Sequence, residues 1–217
     1  GIQAALQRTY DDLAYNVTGI YGRLPMQTVF DLTWYSVLFL PFEGRRVKGW
    51  VNSILVGDSG QGKTEMSSML CQHYGVGARV ECKNASIAGL IGGLQQLGTR
   101  WFVSWGIIPQ NDRRLVLLEE AKGLQTQDIA RMTDMRSSGI AELPKIEHGK
   151  ANARTRLAFI SNPRSQRTIG SFTYGVEAVS QVVGALEDLR RFDVALAISS
   201  DQVKSEEINR PARTTTA

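Results

Sequence analysis

The sequence 53-SILVGDSGQGKTEMSSMLCQHY-74 decides the fold. Its central eight residues, Gly57 to Thr64, fit the pattern GxxxxGK followed by Ser or Thr in full. The apolar run 53–56 before them has the composition of a buried strand, and the run 65–74 after them is helix-prone. A glycine-rich turn between a strand and a helix is the usual form of a phosphate-binding loop. The stretch therefore predicts an α/β fold with a bound nucleotide, ATP or a close relative.

The spacing of this motif has a mechanical reason. Glycines tolerate backbone angles that other residues resist, so successive N–H groups can turn inward around a phosphate, and the positive end of the following helix points at the same anion. Lys63 is placed to reach the β- and γ-phosphates, and the Thr64 hydroxyl to bind Mg²⁺. The predicted nucleotide-binding residues are Gly57, Asp58, Ser59, Gly60, Gln61, Gly62, Lys63 and Thr64.

Four further apolar runs follow, at 78–82, 115–118, 157–161 and 194–199. Continuous apolar runs that alternate with helical stretches are typical of parallel strands buried on both faces. The sequence thus predicts a P-loop core with a five-stranded parallel sheet flanked by helices.

The flanking regions complete the predicted organisation. We expect a single domain over residues 1–210, with a helical lead-in at 1–49, the core at 50–200 and a disordered tail at 211–217. Within the lead-in, residues 1–16 and 25–40 are predicted helices, the second ended by Pro41, and FEGRRVKG after it is a predicted polar turn.

Three other positions carry candidate chemistry. Glu119 and Glu120 end the third predicted strand, where ligands gather in open parallel sheets; the first is a candidate Mg²⁺ ligand and the second would polarise the attacking water, although a solvated helix start is the simpler alternative. Asn162 ends the fourth strand and is either a γ-phosphate sensor or a turn residue before Pro163. Arg191 precedes the fifth strand and is a candidate arginine finger or part of a solvated face.

Composition narrows the classes of function. The formal net charge is +4 and the sequence pI is about 9.2, which permits a polyanionic partner without establishing one. Two histidines exclude a multi-histidine metal site, and Cys71 and Cys82 form no zinc-binding spacing. The longest apolar stretch is too short to cross a bilayer, so we expect no membrane association and a location in the cytoplasm or nucleoid, or the nucleus of a eukaryote.

Taken together, the motifs resemble those of the minichromosome maintenance (MCM) helicases, a branch of the AAA+ ATPases. The resemblance extends over about residues 17–210. The stretches that carry it are VTGIYGR, RVKGWVNSILVGDSGQGKTE, ASIAGLIGG, WGIIPQNDRRLVLLEEAKGL, ANARTRLAFISNPR and LRRFDVALAI. The family usually has Asp where this chain has Glu119, and Ser where it has Arg190. The family's C-terminal helical lid is expected to be missing or truncated here.

The resemblance implies an AAA+ ATPase that acts as a hexameric or similar ring and couples ATP hydrolysis to movement along DNA. It also implies two inserts that line a channel for DNA, which is expected to be single-stranded: a helix-2 insert at about 95–111 and a pre-sensor-1 hairpin at about 138–153. In the hairpin, His148-Gly149 is the predicted tip, and Lys145, Lys150 and His148 are candidate DNA contacts. In the other insert, Arg100 and Trp101 offer a charge and a stacking face, or Trp101 packs in the core.

Two alternatives to a helicase remain open at this stage. One is another AAA+ remodelling ATPase with similar inserts, of the chelatase or transcription-activator type. The other is a nucleotide-gated scaffold or loader that binds ATP but hardly hydrolyses it, an alternative that Glu119 in place of Asp keeps open.

Overall fold

The computed structural model describes residues 1–75, 77–143, 149–165 and 167–208. The lead-in consists of α1 (Ile2–Leu13), a π-helix (Ala14–Thr18) and α2 (Leu24–Tyr35). An antiparallel hairpin of β1 (Phe39–Phe42) and β2 (Arg45–Lys48) connects it to the core.

The core begins with the strand that precedes the phosphate loop. Its strands are β3 (Ser53–Gly57), β4 (Ala78–Glu81), β5 (Gly92–Leu97), β6 (Arg100–Trp105), β7 (Leu115–Glu119), β8 (Ile140–Glu142), β9 (Lys150–Asn152), β10 (Arg156–Ser161) and β11 (Val194–Ile198). Its α-helices are α3 (Lys63–Tyr74), α4 (Ile87–Leu90), α5 (Ile107–Gln110), α6 (Thr126–Ser138), α7 (Val176–Val183), α8 (Leu186–Leu189) and α9 (Ser205–Ile208). Short 3-10 helices occupy Cys82–Asn84, Ala121–Gly123, Ile169–Ser171 and Ser200–Gln202.

Five strands form one sheet in the order β11-β3-β10-β7-β4, and every neighbouring pair is parallel. The predicted five-stranded parallel sheet is therefore confirmed, and each of the five apolar runs corresponds to one strand to within a residue at either end. β10 lies between β3 and β7. Because parallel strands end at the same edge, the phosphate loop, the end of β10 and the acidic pair at the end of β7 lie along that edge.

Helices cover both faces of this sheet. On one face, α2 and α3 contribute Phe30 and Leu70 to an apolar layer, and on the other, α6 and α7 contribute Met132 and Val182. All four side chains are at most 2% exposed. Burial on both faces explains why the strand residues form continuous apolar runs instead of alternating with polar ones.

The prediction of a helix over 25–40 is wrong at its C-terminal end. The polar turn predicted over 42–49 is a turn only at Glu43 and Gly44, and β2 follows it. α2 ends at Tyr35, and the residues around Pro41 form β1 instead. The residue before a proline disfavours the helical region. Glu43 and Gly44 both have positive φ, 48° and 75°, which is the geometry of a two-residue hairpin turn and allows 45–48 to pair back as β2.

Two further antiparallel hairpins project from the core, at the places where inserts are expected. The first pairs β5 with β6 around Gly98, and the second pairs β8 with β9. In the second, Gly149 accepts a hydrogen bond from the Leu143 amide at 2.8 Å, so it belongs to the ladder and not to the predicted tip. The predicted DNA contacts Lys145 and His148 lie outside the described residues.

Across the ranges described above, none of the helices has both the length and the apolar composition needed to cross a membrane.

Candidate functional site

The loop between β3 and α3 has the backbone shape that its glycines predict. Gly60 and Gly62 both have φ of 74°, in the left-handed region that glycine occupies without strain. A Cβ atom on Gly57 would lie 2.9 Å from the Ile198 carbonyl oxygen, so a side chain there would displace β11. α3 begins at Lys63 directly after this turn, and its first amides face the loop.

A cavity of about 340 Å³ opens against this loop. Its lining joins three segments that are distant in sequence: the loop and the first turn of α3, the residue after β7, and the end of β10. The lining residues are Ser59, Gly60, Gln61, Gly62, Lys63, Thr64, Glu65, Glu120, Ile160, Ser161 and Asn162. Of the eight predicted nucleotide-binding residues, six line the cavity, and Gly57 and Asp58 lie behind it.

Lys63 is buried in this cavity wall, with 6% of its surface exposed. Its ammonium group donates to the carbonyl oxygens of Gly57 at 3.0 Å and Asp58 at 2.6 Å, and to Asn162 Oδ1 at 2.9 Å. Burial lowers the pKa of Lys63 to about 8, and the carboxylates of Glu120 and Asp58 oppose this shift only in part. The three acceptors are neutral, so within the described residues the buried cation has no ion-pair partner in contact, and it favours a nearby anion.

Asp58 is a structural member of the loop. Its carboxylate accepts hydrogen bonds from the Ile169 amide at 2.8 Å and from the amide and hydroxyl of Ser200 at 2.8 and 2.9 Å. Burial alone raises the pKa of Asp58, but these hydrogen bonds outweigh burial and hold the pKa below its usual value. The side chain thus fixes the loop to the segments that follow β10 and β11.

Glu120 reaches the cavity through an unusual backbone conformation. Its φ of 50° and ψ of 45° place it in the left-handed region, which costs energy for a residue with a side chain. Its carboxylate is half-exposed and lies 3.5 Å from the Lys122 ammonium. Backbone strain of this kind is common at functional sites, and here it turns the second acid of the pair toward the phosphate loop.

Glu119 is placed differently from its neighbour. It is 4% exposed, which excludes the solvated helix start considered for it, but it does not line the cavity. One carboxylate oxygen accepts from Arg79 Nε at 2.5 Å, and the other from the Ser68 hydroxyl at 3.3 Å. The structure therefore brings Glu120 and Thr64 to one cavity and leaves Glu119 engaged with the edge strand β4.

Asn162 is the polar residue that β10 brings to the cavity. In addition to its contact with Lys63, it is held by Ser161, whose hydroxyl donates to the Asn162 carbonyl at 2.7 Å and accepts from the Lys122 amide at 3.0 Å. Ser161 was not singled out from the sequence, because a serine at the end of an apolar run has no distinctive pattern.

The remaining candidates lie away from the cavity. Arg191 is exposed at the corner between α8 and β11 and makes no side-chain hydrogen bond or ion pair within the described ranges. Lys150 is exposed on β9 and pairs with Glu142 at 2.7 Å. Trp101 is 62% exposed on β6, so the expectation that it packs in the core is wrong; a two-stranded hairpin that stands off the sheet has no core to offer it.

Arg23 is a loop contact that sequence reasoning missed. It is 3% exposed, and its guanidinium donates to the side-chain oxygen of Gln61 in the phosphate loop. The two residues are 38 positions apart. No local sequence pattern predicts such a contact, because the sequence around a buried arginine does not differ from that around an exposed one.

The cavity offers oxygen ligands for a magnesium ion. Thr64 and Glu120 offer hydroxyl and carboxylate oxygens, which are ligands that Mg²⁺ prefers, at the cavity that also holds Lys63. In the described parts of the chain, no three His, Cys, Asp or Glu residues cluster as a metal site. A magnesium ion here would therefore take most of its ligands from phosphates and water, as Mg²⁺ commonly does.

No protein-family model and no curated protein matches the sequence of this chain.

Proposed function

We propose that this chain is the ATP-hydrolysing core of an MCM-like AAA+ ring helicase that moves along DNA. The observation that carries the proposal is the convergence of Lys63, Glu120 and Asn162 on one cavity at the phosphate loop. A buried uncompensated cation, a carboxylate held by a strained backbone and a neutral amide are the groups that phosphoryl transfer requires.

In the proposed reaction, the loop amides and Lys63 hold the β- and γ-phosphates, and Lys63 offsets the charge that develops as the β–γ bond breaks. Glu120 accepts a proton from the attacking water while the water oxygen bonds to the γ-phosphorus and the bridging oxygen leaves with ADP. Asn162 donates a hydrogen bond to the γ-phosphate or water without adding charge. Thr64, with Glu119 as a candidate outer ligand, would hold a magnesium ion, which would supply positive charge beside the phosphates.

The DNA and ring components of the proposal are supported by surface features. Both projecting hairpins expose side chains suited to a nucleic acid, with Arg100 and Trp101 on one and Lys150 on the other. Arg191 is exposed and unpaired in the described ranges, as an arginine that acts on a neighbouring subunit would be. A finger that acts in trans needs a head-to-tail interface, and such interfaces close into rings.

One observation favours a second candidate, the nucleotide-gated scaffold. Glu119 is bound by Arg79 and Ser68 and does not line the cavity, so the first acid does not face the phosphate loop. A site with one acid in place binds nucleotide well and hydrolyses it slowly.

The motor and the scaffold are distinguished by measuring ATP turnover and ATP binding for the wild type and for Glu120→Gln. We expect the wild type to hydrolyse ATP, faster with single-stranded DNA, and Glu120→Gln to bind ATP with the same affinity but turn it over at least about 100-fold more slowly. Glu177→Gln, on the exposed first turn of α7, is the matched control and should behave as wild type. Turnover should be measured over a range of protein concentrations, because a site completed by a neighbour gains activity as rings form.

Wild-type turnover as slow as that of Glu120→Gln, with ATP still bound, would favour the scaffold and reject the motor. Failure of the wild type to bind ATP at all would reject both.

A further inference from the structure

Arg23 lies behind the phosphate loop with its charge enclosed. One guanidinium nitrogen donates to Gln61 Oε1 and, at 3.4 Å, to the Ser199 carbonyl, and the other terminal nitrogen donates to Gln202 Oε1 at 3.3 Å. The third nitrogen, Nε, is buried and has no hydrogen-bond partner in the described structure. The group thus connects the lead-in, the loop and the segment after β11.

Among the described residues, the acceptors of Arg23 are all neutral. Asp58 is the nearby carboxylate, but its oxygens are already taken by Ile169 and Ser200. Burial lowers the pKa of Arg23, with weaker opposing effects of Tyr10 and Asp58. A buried cation that lacks a contacting anion costs free energy, and a polyphosphate bound close by would recover part of it.

Gln61 connects Arg23 to the cavity. It is 3% exposed and lines the cavity, and its amide nitrogen donates to the Ser59 carbonyl at 3.3 Å. Arg23, Gln61 and Ser59 therefore form a continuous hydrogen-bonded chain that ends at the backbone of the loop. The backbone of Arg23 is itself held by the Tyr10 hydroxyl, which accepts from its amide at 2.8 Å.

We propose that Arg23 is a positioning residue for the triphosphate, which holds the phosphate loop through Gln61 and adds a second buried positive charge behind it. The inference rests on the proposed nucleotide binding and deepens it. Because the contribution of Arg23 is partly electrostatic at short range in a poorly hydrated region, it grows with the charge of the ligand. It should therefore favour ATP over ADP, and ADP over AMP.

The test compares nucleotide affinities of Arg23→Gln with the wild type by calorimetry at low and high salt. We expect the affinity for the ATP analogue to fall about tenfold, that for ADP about threefold, and that for AMP to change little, since the phosphates differ in charge. Arg23→Lys should restore part of the ATP preference. Arg156→Gln is the matched control, because Arg156 is a part-buried arginine that donates to Ser36 at the opposite strand ends.

The possible outcomes separate the inference from the function it depends on. Equal fractional losses for ATP, ADP and AMP, or no loss, would overturn it, because a merely structural arginine leaves the ratio unchanged. If Arg23→Gln does not fold, Gln61→Met breaks the contact with the loop and leaves the charge of Arg23 in place. An unchanged affinity of this variant for ATP would overturn the positioning role. A wild type that binds no nucleotide would instead reject the proposed function.

Discussion

The ammonium group of Lys63 lies in the cavity wall, and its charge changes within a pH range that experiments can reach. Its pKa of about 8 means that the group is half neutral near pH 8 before a nucleotide binds. A triphosphate favours the charged form, so binding above this pH must take up a proton. We predict that the affinity for ATP falls as the pH rises from 7.5 to 9, a range in which the nucleotide phosphates are already ionised.

Calorimetry in buffers of different ionisation enthalpy measures this proton uptake directly, and we expect about half a proton per nucleotide at pH 8. Lys63→Arg stays charged and should show no uptake. A wild-type affinity that is constant from pH 7.5 to 9 would contradict the prediction. The pH dependence of folding has the opposite sign to that of ATP binding. Without nucleotide, the free energy of unfolding rises with pH between about 8 and 10.5, because the pKa of Lys63 is lower in the folded chain and the buried cation loses its charge there.

Single residues also show the limit of prediction from sequence. The loop motif fixes the identity and order of its residues, and so identified Lys63 and Thr64 without any knowledge of the surroundings. The motif could not reveal that Asp58 points away from the cavity, that Arg79 holds Glu119, or that Arg23 lies under Gln61. These contacts join residues about 40 or more positions apart, and their geometry depends on the packing of the whole sheet.

At the scale of elements, Asp58 couples the phosphate loop to two other segments. We predict that Asp58→Ala lowers the free energy of unfolding by about 2–4 kcal/mol, because the buried Ile169 amide and the part-buried Ser200 amide lose their acceptor. Asp58→Asn keeps one acceptor oxygen and should lose about half as much. Urea denaturation at pH 7 measures both.

The same substitutions predict a pH dependence. Because the folded pKa of Asp58 is below its usual value of 3.8, the stability it contributes is present above about pH 4 and is lost as the pH falls through the folded pKa. Wild-type protein should therefore lose more stability between pH 5 and pH 3 than Asp58→Asn. If the free energy of unfolding falls equally with pH in the two proteins, the charge of the Asp58 carboxylate does not contribute to stability.

Some secondary-structure elements could be predicted from the sequence, and others could not. The five core strands were predictable because burial on both faces demands continuous apolar runs, and such runs are easily distinguished from the helices between them. The hairpin β1–β2 was missed because FLPF is apolar enough for a helix end. Its turn depends on Glu43, a non-glycine residue with positive φ, for which the sequence carries only a weak signal.

At the scale of the molecule, the exposed hairpin β5–β6 is the surface that we propose for single-stranded DNA. We predict that Trp101→Ala weakens binding of single-stranded DNA about tenfold, with little change in its salt dependence, because stacking on an aromatic ring is lost while the charges remain. Fluorescence anisotropy with a labelled oligonucleotide measures this loss. Tyr174→Ala removes an equally exposed ring, 69% exposed, from outside both hairpins and should not weaken binding. Equal effects of Trp101→Ala and Tyr174→Ala would contradict DNA binding by the β5–β6 hairpin.

The ring is tested by mixing inactive variants. If Arg191 acts on a neighbouring subunit, Arg191→Ala and Glu120→Gln each lack one part of a shared site, and mixed rings contain interfaces in which both parts are intact. We predict that the mixture hydrolyses ATP faster than either variant alone, with a maximum near equal amounts. Arg190→Ala mixed with Glu120→Gln is the control and should follow the sum of its components. No gain at any ratio would exclude a finger at position 191.

The proposed nucleotide site is tested most directly by a crystal structure of this chain with magnesium and a non-hydrolysable ATP analogue. We predict that the triphosphate lies against the amides of residues 59–64, that Lys63 leaves the Gly57 and Asp58 carbonyls to contact it, and that the Glu120 carboxylate faces the γ-phosphate. An analogue bound elsewhere, or a Glu120 carboxylate directed away from the γ-phosphate, would contradict this prediction.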